Sequence, residues 1–152
     1  MRTHLLTTIL FLAFSFAFAA DSVPFELRAV ADAATDETKE YSMPQRNGDS
    51  EKILLHSATL LDRTAIKSAA IERESNDTIG ILITLTESGG KRFGEITTKY
   101  AGKRLGIILD GKLHSTPVVR DPILGGSLTL TGNFTKLEAT ELVKKLNQSI
   151  AQ

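Results

Sequence analysis

The chain has 152 residues, with 18 lysines and arginines against 18 aspartates and glutamates, and it contains no cysteine. The lack of cysteine excludes disulfides, thiolate metal sites and a lipid-modified N-terminal cysteine. Because the two signs of charge are interleaved and no tryptophan is present, the composition argues against nucleic acid as a partner. The length predicts one domain that can bury a core of its own.

The N-terminus has the pattern of a secretory signal peptide. A cationic start at Arg2 precedes a nearly unbroken apolar run over residues 5–18, and Ala17 and Ala19 are the small residues that a signal peptidase recognises. A retained membrane anchor is the alternative, but the run is shorter than the roughly 20 apolar residues that span a bilayer. We therefore predict a signal peptide over residues 1–19. The mature protein is expected to be soluble, without a transmembrane segment, and periplasmic or extracellular.

The next segment divides into a strand and a loop. Residues 25–30 alternate apolar and polar side chains, which predicts a half-buried strand. Residues 31–50 are polar and charged and are broken by a proline and a glycine, which predicts a long surface loop or a poorly ordered linker. We expect residues 20–50 to form this strand and loop, with the strand pairing back onto the sheet of a compact domain over residues 51–150.

Regular elements are expected throughout the compact domain. Asp62 is expected to cap a short helix over residues 63–69, and alternating isoleucines and a leucine predict a strand over residues 78–86. Apolar side chains at helical spacing from Phe93 to Tyr100 predict a helix that stops at Gly102. Further strands are expected at residues 52–56, 104–109, 112–115 and 127–131.

The C-terminal third carries the clearest turn and cap signals. Asp110-Gly111 predicts a tight turn between two strands, and Gly125-Gly126 predicts a turn before the last strand. Thr135 and Glu138 have the spacing of a capping box at the start of a final amphipathic helix. Together these elements predict an α+β fold with a mixed or antiparallel sheet and helices packed on one face.

The residue types that usually carry catalysis are isolated in this sequence. His56 and His114 each stand in a predicted strand without a second histidine or a carboxylate pair nearby, so a structural role is favoured over metal binding. Ser57, Ser88 and Ser115 lack the sequence context of an activated serine. The sequence therefore predicts no catalytic residue, no cofactor and no metal.

Three asparagines, Asn76, Asn133 and Asn147, begin triplets that fit the N-glycosylation pattern. So short a pattern also arises by chance, and the final predicted helix and its cap already account for Asn147 and Asn133. We therefore expect these triplets to have no function as acceptors.

A free strand edge is one hypothesis for the segment that follows the Asp110-Gly111 hairpin. Pro117 limits backbone pairing along the strand that holds Val118 and Val119, and such an edge can accept an extended peptide as an added strand. The alternative places both valines in the core. The candidate partner-contact residues are Ser115, Thr116, Pro117, Val118, Val119, Gly125 and Gly126.

Several sequence blocks follow one another in a defined order between Lys52 and Leu146. They are Gly-Lys-Arg-Phe-Gly-Glu-Ile-Thr at 90–97, Leu-Gly-Ile-Ile-Leu-Asp-Gly at 105–111, Ser-Thr-Pro-Val-Val at 115–119, the glycine pair at 125–126 and Thr-Gly-Asn-Phe-Thr at 131–135, followed by Glu138-Ala139. In content and order they resemble the first periplasmic domain, or head, of SecD and SecDF-type protein-export subunits. Gly106 and Thr116 depart from this family, in which alanine is common at both positions.

The resemblance implies a SecD head-like fold, of which a ferredoxin-like variant is one form, and a head that contacts preproteins as they leave the export channel. Members of the family continue into transmembrane helices that couple proton flow to export, whereas this sequence ends at Gln152, so a head without that motor is expected. We expect a non-enzymatic exported module whose partners are exported polypeptides or protein-translocase subunits. The alternative is a secreted regulator or inhibitor of an envelope protein built on the same fold. An enzyme would instead require a polar cleft that brings His56 or His114 close to a carboxylate.

Overall fold

The computed structural model describes residues 25–45, 47–73, 78–132 and 134–151, so the predicted signal peptide lies outside the described residues. Within these ranges the chain forms, in order, β1 (Phe25–Ala29), β2 (Thr38–Pro44), β3 (Ser50–His56), β4 (Leu61–Asp62), a 3₁₀ turn (Arg63–Ala65), β5 (Ile66–Arg73), β6 (Ile79–Leu85), α1 (Glu87–Lys99), β7 (Leu105–Leu109), β8 (Lys112–Ser115), β9 (Ser127–Thr131) and α2 (Lys136–Ile150).

The strand pairs of the described residues are all antiparallel. One sheet has four strands in the order β4-β1-β7-β8, a second has the order β5-β6-β9, and β2 and β3 form a hairpin. In the four-stranded sheet β1 lies beside β7, with Leu27 opposite Ile107, so the N-terminal strand pairs back onto the sheet as predicted. The predicted α+β class with an antiparallel sheet arrangement is therefore confirmed.

The main hydrophobic core joins the two larger sheets to both helices. Its buried side chains include Leu27 of β1, Ile107 of β7, Ile83 of β6, Phe93 of α1 and Leu146 of α2. Helix α2 packs on β5 and β6, and α1 contacts β6 and the 3₁₀ turn. The two helices therefore lie against the three-stranded sheet, as their predicted apolar faces require.

Strand β7 is buried along its whole length because both of its faces are covered. Ile107 faces the main core, whereas Ile108 packs with Ile53 and Leu55 of the β2–β3 hairpin in a second, smaller cluster. A Cβ placed on Gly106 would lie 2.7 Å from Leu55 Cδ2, so glycine at this position leaves room for the hairpin. This double coverage explains why the sequence of β7 is a continuous apolar run.

Local signals in the sequence correctly located the Asp110-Gly111 turn and the cap of α2, whereas the cap of α1 was not predicted. Thr86 caps α1 by accepting a hydrogen bond from the Gly89 N–H at 3.0 Å. Thr135 and Glu138 form the predicted capping box of α2. The φ angles of Asp110 and Gly111 are 49° and 75°, as the tight β7–β8 hairpin turn requires.

The prediction of a loop or linker over residues 31–50 is wrong for residues 38–44, which form β2, and for Ser50, where β3 begins. This strand pairs with β3 along its whole length, from Thr38 opposite His56 to Pro44 opposite Ser50. Only Tyr41 and Met43 of β2 pack against the smaller cluster. The strand therefore has little apolar content, and its polar composition resembles that of a loop.

The prediction of a helix over residues 63–69 is also wrong. Asp62 does cap a turn, since its side chain accepts a hydrogen bond from the Thr64 N–H at 2.8 Å, but that turn is a 3₁₀ turn of three residues. From Ile66 the chain enters β5 and pairs with β6, with Ile71 opposite Ile81. Pairing with the apolar strand β6 buries this segment better than one short turn of helix could, so tertiary context overrides the local pattern.

Candidate functional site

The chain continues to pair with its neighbour beyond the end of β8, in the segment that carries the candidate contact residues. The Leu105 N–H donates to the Pro117 carbonyl at 3.0 Å, and the Val119 N–H donates to the Lys103 carbonyl at 2.9 Å. In an antiparallel pair of this pattern, the residue between the two bonded positions directs its own N–H and C=O away from the partner strand. Val118 is that residue, so its backbone groups point outward from the four-stranded sheet.

The two valines of this segment have opposite environments. Val119 is buried, with 7% of its surface exposed, whereas Val118 is 53% exposed. The alternative that places both valines in the core is therefore correct for Val119 and wrong for Val118, and the hypothesis that this edge accepts a peptide stays a prediction.

Two further exposed apolar side chains follow Val118 in the chain. In the loop between β8 and β9, Ile123 is 40% exposed and Leu124 is 78% exposed. Among the described residues, the other exposed large apolar side chains are Ile71 on β5 and Leu137 on α2. We refer to Val118, Ile123 and Leu124 as the apolar loop patch.

Helix α1 holds this patch in place through one buried hydroxyl. Thr97 is 1% exposed, and its Oγ1 accepts a hydrogen bond from the Ile123 N–H at 2.9 Å. The same hydroxyl lies 2.9 Å from the Phe93 carbonyl, to which it donates. Leu124 lies against α1 as well, because a Cβ placed on Gly94 would be 3.0 Å from Leu124 Cδ2. The exposed apolar side chains therefore sit on an anchored loop.

A cleft of about 480 Å³ is lined by Val118 and Ile123 of the patch, whereas Leu124 lines a separate hollow along α1. One wall is the segment 117–123, the other is residues 127–130 of β9, and the side chains of Phe93, Leu105 and Ile107 contribute to the lining between them. The lining side chains of β7 and α1 belong to the main core, so the cleft reaches that core from the surface. An apolar cleft with an apolar patch at its mouth can bind apolar side chains of a partner.

The remaining candidate contact residues do not line this cleft. Ser115 and Thr116 line a separate groove of about 970 Å³ between β2, the β7–β8 turn and α2, where the Arg104 Nε–H donates to the Thr116 carbonyl at 3.3 Å. Gly125 and Gly126 form the turn before β9 and lie along the N-terminal half of α1. Of the seven predicted contact residues, the cleft therefore brings together Pro117, Val118 and Val119.

The two described histidines have different surroundings, and His114 lines the groove of about 970 Å³ near the Glu138 and Asp110 carboxylates. The His114 ring packs against the Phe134 ring with the centroids 5.3 Å apart, and burial, followed by the charge of Lys112, holds the pKa of His114 below its ordinary value of 6.5. His56 lies exposed at the end of β3. Within the described ranges, no three His, Asp or Glu side chains converge to form a metal site.

Sequence reasoning missed Ile123 and Leu124, the other two members of the apolar loop patch. They are adjacent large apolar residues that lie in a predicted loop between Pro122 and Gly125. Two large apolar side chains in a loop gain nothing from exposure to water. Their position in a loop was therefore the sequence signal that could have indicated an interaction site.

Comparison with protein families gives a match over most of the chain. The family model described as the SecDF P1 head subdomain matches residues 38–150. The protein translocase subunit SecD of Rickettsia felis is 37% identical over 100 residues, which cover 62% of this chain and 19% of that protein. SecD of Magnetococcus marinus is 35% identical over 105 residues, which cover 68% of this chain and 20% of that protein. The chain thus spans about a fifth of the length of these relatives.

Solved structures show the same fold. A SecDF described as a membrane component that enhances protein export aligns with a TM-score of 0.64 and 24% identity, covering 80% of this chain and 60% of that chain. SecDF in a super-membrane-facing form aligns with the same TM-score and identity and covers 18% of that longer chain. Neither helix found in the described part of this chain has the length and apolar character needed to cross a membrane.

Proposed function

This chain belongs to the SecDF P1 head family, and from that membership we propose that it is a non-enzymatic, exported module that binds unfolded polypeptide during protein export. It binds either exported polypeptides themselves or segments of the export apparatus, and it supplies no motor activity of its own. The relatives named SecD are protein translocase subunits, which supports an association with protein export.

The observation that carries the proposal is the apolar loop patch beside an apolar cleft. Exposed apolar surface costs roughly 25 cal/mol per Å² in water, and grouped exposed apolar side chains commonly mark interaction sites. Thr97 anchors the loop at Ile123, Leu124 lies against Gly94 of α1, and the backbone bonds of Pro117 and Val119 hold Val118, so these side chains are preformed for a partner. An unfolded chain offers the apolar side chains that a folded protein hides, which makes it a chemically suitable occupant.

His114 lines the groove between β2, the β7–β8 turn and α2 near the Glu138 and Asp110 carboxylates, so a catalytic site that uses this histidine would have to lie there. The His114 ring packs on the Phe134 ring. The Lys145 ammonium on α2 pairs with the Asp110 carboxylate in the β7–β8 turn. The hydrogen bond and charge of Asp110 raise the pKa of Lys145, which keeps this lysine in its charged, ion-paired form. Groups engaged in this way stabilise the fold.

In-cell photo-crosslinking tests the proposed function. A photoreactive amino acid at Leu124 should form adducts with many exported polypeptides or with translocase subunits, identified by mass spectrometry. The matched control is Leu137 on α2, which is 69% exposed against 78% for Leu124 and lies outside the patch. Adducts with one unrelated envelope protein would support the alternative of a secreted regulator, and equal adducts from both positions would contradict a role for the patch.

Binding of a permanently unfolded protein provides the matching experiment in solution. Reduced, carboxymethylated α-lactalbumin should bind the wild-type protein, and Leu124→Ser should weaken its affinity about tenfold, since losing one buried leucine costs about 1.5 kcal/mol. Leu137→Ser should bind as the wild-type protein does. Identical affinities for Leu124→Ser and the wild-type protein would argue against this site.

Export itself has a direct test. The signal peptide proposed over residues 1–19 predicts that the exported protein begins at Ala20. Intact-mass measurement of the protein recovered from the cell envelope should give the mass of the cleaved chain. A full-length mass in the membrane fraction would instead support the retained anchor.

A further inference from the structure

Strand β9 is an edge strand with backbone groups available for pairing. It pairs on one side with β6, with Ile83 opposite Leu128, and the Leu85 N–H donates to the Gly126 carbonyl at 2.9 Å. Bonded and non-bonded pairs alternate along an antiparallel ladder. It follows from this register that Ser127, Thr129 and Thr131 direct their N–H and C=O groups away from β6, toward the open edge.

The opposite edge of the same sheet is covered at Ala69. Asn147 on α2 accepts a hydrogen bond from the Ala69 N–H and donates one to the Ala69 carbonyl, both at 2.9 Å. This side chain occupies the position that a neighbouring strand would take on β5. Of the two edges of the three-stranded sheet, the one on β9 is therefore better placed to pair with another chain.

The open edge of β9 forms a wall of the apolar cleft, and the opposite wall also presents outward backbone groups. Residues 127–130 line the cleft on one side, and Val118, whose N–H and C=O point away from β7, lies on the other. Every second side chain of an extended segment between these walls would point toward Phe93 and Ile107, and the segment's backbone would run along β9.

We infer that the cleft binds a segment of unfolded polypeptide as an added antiparallel strand on β9, an inference that rests on the proposed function. The substrate class is an extended segment with apolar residues at alternate positions and without proline. Backbone pairing provides affinity for many sequences, and the apolar lining selects side chains at every second position. Exported chains of unrelated sequence share these properties while unfolded.

Backbone-modified peptides test the added strand. The probe is a fluorescein-labelled peptide of alternating valine and threonine with lysines at both ends, measured by fluorescence anisotropy. Two modified versions of this peptide are compared with it, one N-methylated at its valine amides and the other at its threonine amides. Each version therefore lacks the backbone N–H donors along one of the two edges of the peptide strand. At least one version should bind about tenfold or more weakly than the unmodified peptide. Equal binding of all three peptides would overturn strand addition.

A proline on β9 tests the same idea from the protein side. Thr129→Pro removes an outward N–H that β6 does not use, which an edge strand tolerates. Ile71→Pro is the matched control, because the β5–β6 register also directs the Ile71 N–H outward, on the opposite edge of the sheet. Thr129→Pro should bind the peptide at least about tenfold more weakly and Ile71→Pro should bind it as the wild-type protein does. Circular dichroism establishes whether each variant is folded. If Thr129→Pro does not fold, the binding of the N-methylated peptides to the wild-type protein still decides whether a strand is added.

The two proposals fail in different ways. If carboxymethylated α-lactalbumin and the unmodified peptide both bind, and neither N-methylation nor Thr129→Pro weakens binding, strand addition is wrong and polypeptide binding stands. If the wild-type protein binds no unfolded polypeptide at all, the proposed function is wrong, and the inference that depends on it is wrong with it.

Discussion

Asn147 on α2 bonds both backbone groups of Ala69 on β5. The Ala69 N–H donates to Asn147 Oδ1 at 2.9 Å, and Asn147 Nδ2 donates to the Ala69 carbonyl at 2.9 Å. One side-chain amide thus replaces a neighbouring strand, docks α2 on the sheet and closes an edge that could otherwise pair with other chains. These contacts give Asn147 a structural role.

Replacing Asn147 should therefore destabilise the protein. Asn147→Ala leaves the N–H and C=O of Ala69, a residue that is 6% exposed, without their side-chain partner. The expected loss in the free energy of unfolding is about 1–3 kcal/mol. Urea unfolding measures it, and Gln148→Ala, an exposed change one position along α2, is the control. Equal stabilities of the two variants would contradict the role assigned to this amide.

The hydroxyl of Thr97 should determine how firmly the apolar loop patch is held. Thr97→Val keeps the shape of the side chain and removes the acceptor for the Ile123 N–H, so we expect a loss of about 1–2 kcal/mol and faster hydrogen exchange at the Ile123 amide. Thr98→Val is the control. Its hydroxyl donates to the Gly94 carbonyl at 2.7 Å, a hydrogen bond that lies within α1. Unchanged exchange at Ile123 in Thr97→Val would show that the loop is anchored by other contacts.

A methyl group at Gly89 should be destabilising, although alanine usually stabilises a helix relative to glycine by about 1 kcal/mol. A Cβ at this position would lie 2.4 Å from the Ala65 carbonyl oxygen, a backbone atom that cannot move without displacing the 3₁₀ turn. We expect Gly89→Ala to lower the free energy of unfolding by about 1–3 kcal/mol. The neighbouring exposed change Ser88→Ala should have a small effect in the same urea titration. A stabilised Gly89→Ala variant would mean that α1 and the turn are less tightly packed than the structure indicates.

His114 should make the stability of the protein decrease as the solution becomes mildly acidic. Because burial holds its pKa in the folded state below the ordinary value of 6.5, the unfolded chain binds a proton first as the pH falls. Stability is therefore complete above about pH 6.5 and decreases as the pH falls toward the lower folded-state pKa. Nearby Glu138 and Asp110 oppose the shift, but burial and the charge of Lys112 outweigh them.

Replacing this histidine should remove that dependence. His114→Phe keeps a ring against Phe134 and has no proton to bind, so the difference in unfolding free energy between about pH 7 and pH 5 should become smaller than in the wild-type protein. Glu138, whose pKa is lowered mainly by its hydrogen bond with the Thr135 backbone, loses its contribution at lower pH, below the ordinary carboxylate value of 4.5. An unchanged pH dependence in His114→Phe would assign the effect to other groups.

Elements with local determinants could be read directly from the sequence. The capping box of Thr135 and Glu138 and the Asp110-Gly111 turn act through atoms a few residues apart, so composition and spacing were sufficient to place them. The resemblance to SecD heads also depended on blocks of this kind, and the family match over residues 38–150 confirmed it. The wrong predictions concerned residues 31–50 and 63–69, where pairing with a distant strand decided the structure.

The sequence by itself determined the α+β class, the positions of most elements and the family. Only the tertiary structure decided that Val118 faces outward while Val119 is buried and that Leu124 lies exposed against α1. It also decided that β9 lines the cleft while Asn147 covers the β5 edge at Ala69. The physical reason is that periodicity reports which side chains share a face. Which strand or helix covers that face, and which edge remains open, depends on contacts between segments far apart in the chain.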